Sequence, residues 1–486
     1  MKPLLLSALS LFLCATIGAV PACTQQSLSA DQQIQQGLLY GRQGQFSLAR
    51  GSFEKAIKLN ANNPEAHYNY ALAMLAEKRQ VPSWQDALVH FQAALALRPN
   101  YAEALNMIAV CHLEMGEPAL AQPFIEQAIQ LAPAMAQAYF NYGRILEALD
   151  HNEQALLQYR AAIAHQSAYP AALDAAGKLA LNAGDFKSSE ADFTASLRLN
   201  ADQQEAHYML ARSLRALGKT RQAQIELKIS AALLKQKSNA IMSNHLSNEA
   251  LDVAKAGDAK SAIEKLRSAL WLDPSNALAN YNMALVLADM HQCPAALHQI
   301  QKALSLDPAK VEFQHARARI FSACATTAGS QQTDKALAGK GLSASLAASS
   351  SHAVQDSQLT ADSISESPDD HAQYAEQLSL QGDFIGACGE LLRAVEIAPS
   401  RADLRVKLAI ARAQSADSEG AELEFHKALL QAPQSAQIYF SLAQLLMSTN
   451  HLPEATEAFE KVLELEPNHA AAKASLQFLA KKNSAQ

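Results

Sequence analysis

One sequence pattern recurs along most of this chain at a spacing of 34 residues, and it constrains the fold more than any other feature. Each copy has a small residue, a large apolar residue four positions later, and in nearly every copy a second small residue three positions after that. Steps of four and three put all three residues on one face of a helix. The first small residue of the successive copies is Ala49, Ala87, Ala121, Ala155, Ser189, Ala223, Ala262, Ala296, Ala387, Ala421 and Ala455.

An earlier helix is predicted in each unit. Another small residue precedes the first by twelve positions, as at Gly37 and Gly177, and polar turns such as Gly184-Asp185 separate the two halves. Many units close with a proline, for example Pro99 and Pro308, which cannot continue a helix but can begin the next one. Each unit is therefore predicted to be helix A, a tight turn, helix B and a second turn.

This pattern resembles the tetratricopeptide repeat, and Ala277 to Lys310 is similar to its consensus throughout. The resemblance extends from Ala30 to His469 in eleven units. It implies an all-α fold, a right-handed superhelical solenoid of helix-turn-helix repeats. It also implies that protein or peptide segments bind in the concave groove that successive A helices form.

Breaks in the spacing divide the chain. Five extra residues, Ser238 to Met242, interrupt the register and predict an extended helix. A later stretch without aromatic residues is rich in Ser, Ala, Gly and Gln, which is typical of a flexible linker. The predicted organisation is a signal peptide at 1–22, six repeats at 30–237, two repeats and an orphan helix at 243–324, the linker at 325–367, three repeats at 368–469, and a capping helix and tail at 470–486.

The N-terminus predicts export. A positive end is followed by an uncharged, mostly apolar run from Leu4 to Val20, and small residues then precede a cleavage site after Ala22. The same segment, Val20-Pro21-Ala22-Cys23, resembles the lipoprotein box of bacteria, which implies lipidation of Cys23; Pro21 departs from the residue usual in that box. Soluble export and a lipid anchor at Cys23 both stay open, and either places the mature protein in the periplasm or cell envelope, or outside the cell.

Composition and motifs argue against several other functions. The net charge of −7 gives no basic field for nucleic acid or for an anionic membrane surface. Catalytic and cofactor motifs are absent from the sequence, so we expect neither an enzyme nor a cofactor. A metal site is not expected either, because His67 and His207 share the helix-A position of Tyr139 and Tyr439, which indicates core packing.

Cys293 and Cys324 are candidates for a disulfide in an oxidising compartment. Cys293 lies in the turn of one repeat, and Cys324 lies at the end of the next helix A, which should pack beside that turn. Two unpaired thiols are the alternative.

Two columns of polar residues mark a candidate peptide-binding surface. Arg144, Lys178 and Arg212 share one position in three consecutive repeats, with Arg215 one turn further on, and such a row suits carboxylates or an acidic peptide. A solvated face is the alternative, because Lys and Arg are good helix formers. The second column is similar to asparagines that grip the peptide backbone in O-linked N-acetylglucosamine transferases; its members are Asn69, Asn141, Asn248 and Asn282.

The leading functional hypothesis is a non-enzymatic protein-protein interaction scaffold outside the cytoplasm. The alternative is an envelope lipoprotein that assists the assembly of a secretion, pilus or polysaccharide-export machine.

Overall fold

The computed structural model of the protein describes residues 28–77, 83–307, 310–335 and 367–483, without the side chains of 324–335 and 482–483. These ranges contain 23 helices and no strand. The predicted signal peptide at 1–22 and Cys23 lie outside them. The chain divides into two compact units, Met1–Gln158 and Tyr159–Gln486.

The first unit contains repeats one to three and most of repeat four. Its helices are α1 (Ala30–Arg42), α2 (Phe46–Leu59), α3 (Pro64–Ala76), α4 (Trp84–Leu97), α5 (Ala102–Glu114), α6 (Pro118–Leu131), α7 (Ala136–Ala148) and α8 (Asn152–His165), and the border between the units falls inside α8.

The second unit contains the remaining repeats. The helices before the predicted linker are α9 (Pro170–Asn182), α10 (Phe186–Leu199), α11 (Gln204–Ala216), α12 (Thr220–Lys255), α13 (Ala259–Leu272), α14 (Ala277–Asp289), α15 (Cys293–Leu306) and α16 (Val311–Lys335). Those after it are α17 (Pro368–Leu380), α18 (Phe384–Ile397), α19 (Ala402–Gln414), α20 (Ser418–Gln431), α21 (Ala436–Ser448), α22 (Leu452–Leu465) and α23 (Ala470–Asn483).

The repeat predicts the core correctly. The first small residue of each of the eleven units is at most 2% exposed, as at Ala223, and the large residue four positions later is buried or partly buried. Two of the glycines in helix A explain why that position is small. A methyl group at Gly37 would lie 2.6 Å from the ring of Phe53, and one at Gly177 would lie 3.1 Å from Phe193. Small residues therefore let the A and B helices of a repeat approach closely.

The turn from helix A to helix B has the same backbone shape in repeat after repeat. One residue just after helix A takes a positive φ, which glycine adopts without steric cost, as Gly184 (φ 80) and Gly382 (φ 81) do. Ala416 takes the same conformation at φ 66 despite its side chain. The turn thus constrains the backbone even where the glycine is missing.

The extra residues at 238–242 produce one continuous helix, as the spacing predicts. Helix α12 has 36 residues and serves as helix B of repeat six and helix A of repeat seven. The reason is local: the sequence from Leu234 to His245 has neither proline nor glycine to stop a helix.

The end of the orphan helix differs from the predicted one. Helix α16 continues to Lys335, past the predicted linker start at residue 325, because the polar residues after Cys324 include only one glycine and no proline before Lys335. At the other end of the unit, α23 packs on α22 through the buried residues Ala472 and Leu479. It covers the last repeat, as a capping helix should.

Candidate functional site

The predicted basic row is divided between the two units. Arg144 belongs to the first unit, where its guanidinium lies 2.6 Å from Glu114 in a half-exposed ion pair. Lys178, Arg212 and Arg215 belong to the second unit and are all exposed.

Helix α11 displays an aromatic and cationic stripe. Tyr208, Arg212 and Arg215 follow one another at steps of four and three, so they share a face, and Tyr208 is 45% exposed. In the part of the chain that the structure describes, the one side-chain partner of these two guanidiniums is the Met209 sulfur, 3.5 Å from Arg212 Nη1. Exposed tyrosine beside exposed arginine is the combination enriched at the centres of protein interfaces.

The predicted asparagine column has two kinds of members. Asn141 is 4% exposed and donates to Asn106 Oδ1 at 2.9 Å, and Asn282 is 1% exposed and donates to Ser247 Oγ at 3.0 Å. In both cases the acceptor belongs to helix A of the preceding repeat. These two amides therefore join consecutive repeats, which the sequence pattern did not reveal.

The other two asparagines are more accessible. Asn69 is half-buried and donates to the Glu65 carbonyl of its own helix at 2.9 Å, and Asn248 is exposed on α12. Of the four asparagines, only Asn69 and Asn248 are accessible enough to contact a ligand without rearrangement.

Asp174 on α9 is a perturbed acid near the basic residues. It is one turn before Lys178, and its Oδ1 is buried without a hydrogen-bond partner. Burial raises the pKa of Asp174 to about 6, against the effect of a hydrogen bond from Ser196. This carboxyl is therefore partly protonated in mildly acidic solution.

A cavity of about 740 Å³ lies between α12 and the C-terminal helices α20, α21 and α22. We call it the acidic groove. Its apolar lining includes Ile225 and Ile229 of α12, Leu429 of α20, and Leu442 and Leu446 of α21.

The charged lining of the acidic groove is mainly negative. The carboxylates are Glu226, Glu422, Glu454, Glu457, Glu460 and Glu464, and the cations are Arg221, Lys228 and Lys461. Two ion pairs connect α12 to the opposite wall: Lys228 lies 2.6 Å from Glu422, and Arg221 pairs with Glu457. Hydrogen bonding with His426 and the nearby Lys228 lower the pKa of Glu422 to about 2.

A buried charge cluster holds repeat ten against the turn before α11. Asp202 lies in that turn and accepts from Arg405 of α19 at 2.9 Å and from Lys427 of α20 at 2.6 Å. Glu424 completes the cluster, 3.1 Å from Arg405 and 2.9 Å from Lys427. Burial opposes the charge on Asp202, but Lys427 and Arg405 outweigh it and hold its pKa well below the usual range.

The position of Arg405 and Glu424 within the repeat also holds buried polar pairs elsewhere. His207 lies 2.5 Å from Glu226, and His371 lies 2.7 Å from Glu390. His207 is 0% exposed, in agreement with the predicted core packing, but the helix-A pattern does not predict its carboxylate partner. The detectable signal is the 19-residue separation of each pair, which recurs in the three repeats.

Cys293 is disulfide-bonded in the structure. The side chain of its candidate partner, Cys324, lies outside the described residues. Within the described residues Cys111 and Cys388 are free thiols, and burial raises the pKa of both.

No three His, Cys, Asp or Glu side chains in the described ranges are grouped so that they could share a metal ion. None of the described helices combines the length and apolarity needed to cross a membrane.

Comparison with known proteins identifies the repeats. A family model described as TPR repeat matches residues 37–77, and three described as tetratricopeptide repeat match 102–135, 175–224 and 417–477. The matches fall in both units. The chain therefore contains tetratricopeptide repeats, and its fold is the all-α helix-turn-helix solenoid that the sequence predicts. Proteins built from such repeats are generally interaction scaffolds.

Individual relatives are distant. Protein CTR9 homolog of Arabidopsis thaliana is 24% identical over 196 residues, which are 38% of this chain and 18% of that protein. The match thus spans less than a fifth of that curated relative.

Similar solved structures include PilW, a widely conserved type IV pilus biogenesis factor (19% identity, 40% of this chain and 90% of that chain, TM-score 0.36). MamA of Desulfovibrio magneticus RS-1 is 22% identical over 34% of this chain and 92% of that chain, with a TM-score of 0.31. The TPR domain of P58(IPK) is 14% identical over 94% of this chain and 99% of that chain, with a TM-score of 0.23.

Proposed function

We propose that the protein is a non-enzymatic scaffold that binds a segment of another protein on the A-helix face of repeats five and six. The exposed stripe of Tyr208, Arg212 and Arg215 on α11 carries this proposal. Its guanidiniums can take carboxylates of the partner, and the tyrosine ring supplies contact area at low entropic cost.

Neighbouring residues extend the same surface. Lys178 stands in repeat five at the position that Arg212 holds in repeat six, so the two cations recur at the repeat spacing. A partner segment with acidic residues and an apolar side chain near Tyr208 fits this chemistry.

Photocrosslinking tests the surface directly. A benzoylphenylalanine placed at Tyr208 should capture a partner in cells, and the double variant Arg212→Glu, Arg215→Glu should abolish the captured product. A crosslinker at Trp271, which is 82% exposed on α13, controls for nonspecific capture by an exposed aromatic position. Charge reversal at Lys237 and Arg267 controls for the change in net charge.

The proposal is refuted if position 208 captures nothing, or the same products as position 271. It is also refuted if the double variant leaves capture unchanged. Charge reversal of Lys178 together with Arg212 tests whether repeat five contributes.

Export is part of this proposal. The apolar segment before Ala22 supports it, and the disulfide at Cys293 is consistent with an oxidising compartment. N-terminal sequencing of the mature protein should begin at Cys23. Labelling with radioactive palmitate then separates soluble export from the alternative, an envelope lipoprotein that assists an assembly machine, because only the lipoprotein incorporates label at Cys23.

A further inference from the structure

The acidic groove is a second surface with the opposite chemistry. Its walls come from the first half of α12 and from repeats ten and eleven, so it is distinct from the exposed α11 stripe. At its base, Ile229 and Leu233 of α12 are buried against Leu423 of α20, which holds the two walls together.

The apolar lining of the groove is partly open to solvent. Ile225, Leu429, Leu430 and Tyr439 are only half-buried, whereas Leu442 and Leu446 lie buried behind them. Water-exposed apolar surface in a concave site is a source of binding free energy, since a ligand side chain that covers it removes that surface from water.

The carboxylates of α22 form a line along one wall. Glu454, Glu457, Glu460 and Glu464 follow at steps of three, three and four, so each lies about one turn from the next on the groove side of the helix. Lys461 lies among them and pairs with Glu464 at 2.5 Å. At 1.5 Å per residue the line of carboxylates is about 15 Å long. A helix that carries cations at the same steps on one side matches this line of charge.

A cation of the protein itself already pairs with one of the α22 carboxylates, at a position that a cation of a ligand could occupy. Arg221 pairs with Glu457, and both side chains are more than half exposed, at 58% and 52%. Exposed pairs of this kind contribute little to stability, so a cation from a ligand can replace Arg221 at small cost. Within the described residues Glu454 and Glu460 have no ion-pair partner and are exposed.

From the apolar floor, the line of carboxylates and the weak internal pairs, we infer that the acidic groove binds a cationic amphipathic helix of a partner protein. The apolar side of that helix lies on Leu429 and Tyr439, and its lysines or arginines face the α22 carboxylates. This binding does not depend on the α11 stripe, and either surface can fail without the other.

The test uses the full-length protein and a labelled 18-residue helical peptide with lysine on one face and leucine on the other. Fluorescence anisotropy should show saturable binding that weakens as salt rises. A peptide with glutamate in place of lysine should not bind. A scrambled peptide of the same composition, which cannot present an apolar face, should bind at least tenfold more weakly.

Variants locate the site. The triple change Glu454→Gln, Glu460→Gln, Glu464→Gln should weaken the amphipathic peptide at least tenfold. The matched control is Glu153→Gln, Glu264→Gln, Glu376→Gln, which removes three exposed carboxylates elsewhere and should leave affinity within twofold. Circular dichroism melting checks that both triple variants remain folded, and Ile225→Arg provides an independent block of the groove.

Four results overturn the inference: no binding of the cationic amphipathic peptide, equal binding of the scrambled peptide, equal loss in the two triple variants, or full binding to Ile225→Arg. Sedimentation velocity tests whether a second copy of this chain occupies the groove instead. If the wild-type protein self-associates and the groove triple variant does not, the groove binds a second copy of this chain and the inference is wrong.

Discussion

The buried charge cluster between repeat six and repeat ten allows a quantitative prediction. The change Glu424→Gln keeps the shape of the side chain and removes one charge. Glu424 is 2% exposed, and the side chains of its partners Arg405 and Lys427 are each 1% exposed. After the change, the remaining acid beside the two buried cations is Asp202, whose side chain is 40% exposed, and Arg412, 4.0 Å from Glu424, also loses a neighbouring carboxylate.

The expected cost follows from that imbalance. Removing one partner of a buried ion pair leaves an uncompensated charge and typically destabilises by about 3–5 kcal/mol. The double variant Glu424→Gln, Lys427→Met restores one anion to one cation, Asp202 with Arg405. It should therefore regain more than half of the loss, which is about 2 kcal/mol, and the coupling energy is larger than this by the cost of Lys427→Met alone.

Urea unfolding followed by circular dichroism measures the loss, and hydrogen exchange of the amides in α19 and α20 localises it to repeat ten. The control is Glu396→Gln, which removes a 69% exposed carboxylate 3.8 Å from Arg393 and should change stability by less than about 1 kcal/mol. A cost below 1 kcal/mol for Glu424→Gln, or a double variant as unstable as the sum of its parts, would show that the cluster is solvated in solution.

Two further predictions concern pH and backbone strain. The pKa of Asp174 is raised to about 6, so its neutral form contributes stability that is present below about pH 4 and is lost as pH rises through about 6. Asp174→Asn should thus match the wild type near pH 4 and exceed it by about 1–2 kcal/mol at pH 7.5 in urea unfolding. A pH-independent difference would contradict the assigned burial. Ala416→Gly should increase the free energy of unfolding by about 0.5–1 kcal/mol, because glycine adopts a positive φ without steric cost. Gly382→Ala should decrease it by about 1 kcal/mol; a Cβ at this position would meet no atom within 4 Å, so only the backbone conformation is strained. Equal effects of the two changes in thermal unfolding would refute this explanation.

Local structure and the repeat core could be predicted from the sequence because both depend on residues close in the chain. The small residues at Ala121 and Ser189 specify helix contacts within a repeat, and the missing helix breakers near Ser238 specify the long α12. These signals recur at a fixed spacing, and recurrence distinguishes them from chance.

Contacts between distant repeats could not be predicted in the same way. Asp202 and Lys427 are 225 residues apart. The repeat position of Lys427 carries a cation in four other repeats, at Lys55, Lys302, Arg393 and Lys461, but the position of Asp202 is uncharged in every other repeat, so no recurring pattern marks the pair. The asparagine column shows a related difficulty. Asn282 and Asn248 share a repeat position, yet the first is buried and the second exposed, because exposure depends on how the preceding helix packs and not on the repeat position alone.

The length of α12 has a mechanical consequence. At 1.5 Å per residue its 36 residues span about 54 Å without a joint. Where other repeats are linked by a turn that can pivot, this helix transmits tilt and torsion from end to end. Its first half lines the acidic groove, and its second half is helix A of repeat seven. A partner that displaces the first half of α12 must therefore also displace repeats seven and eight.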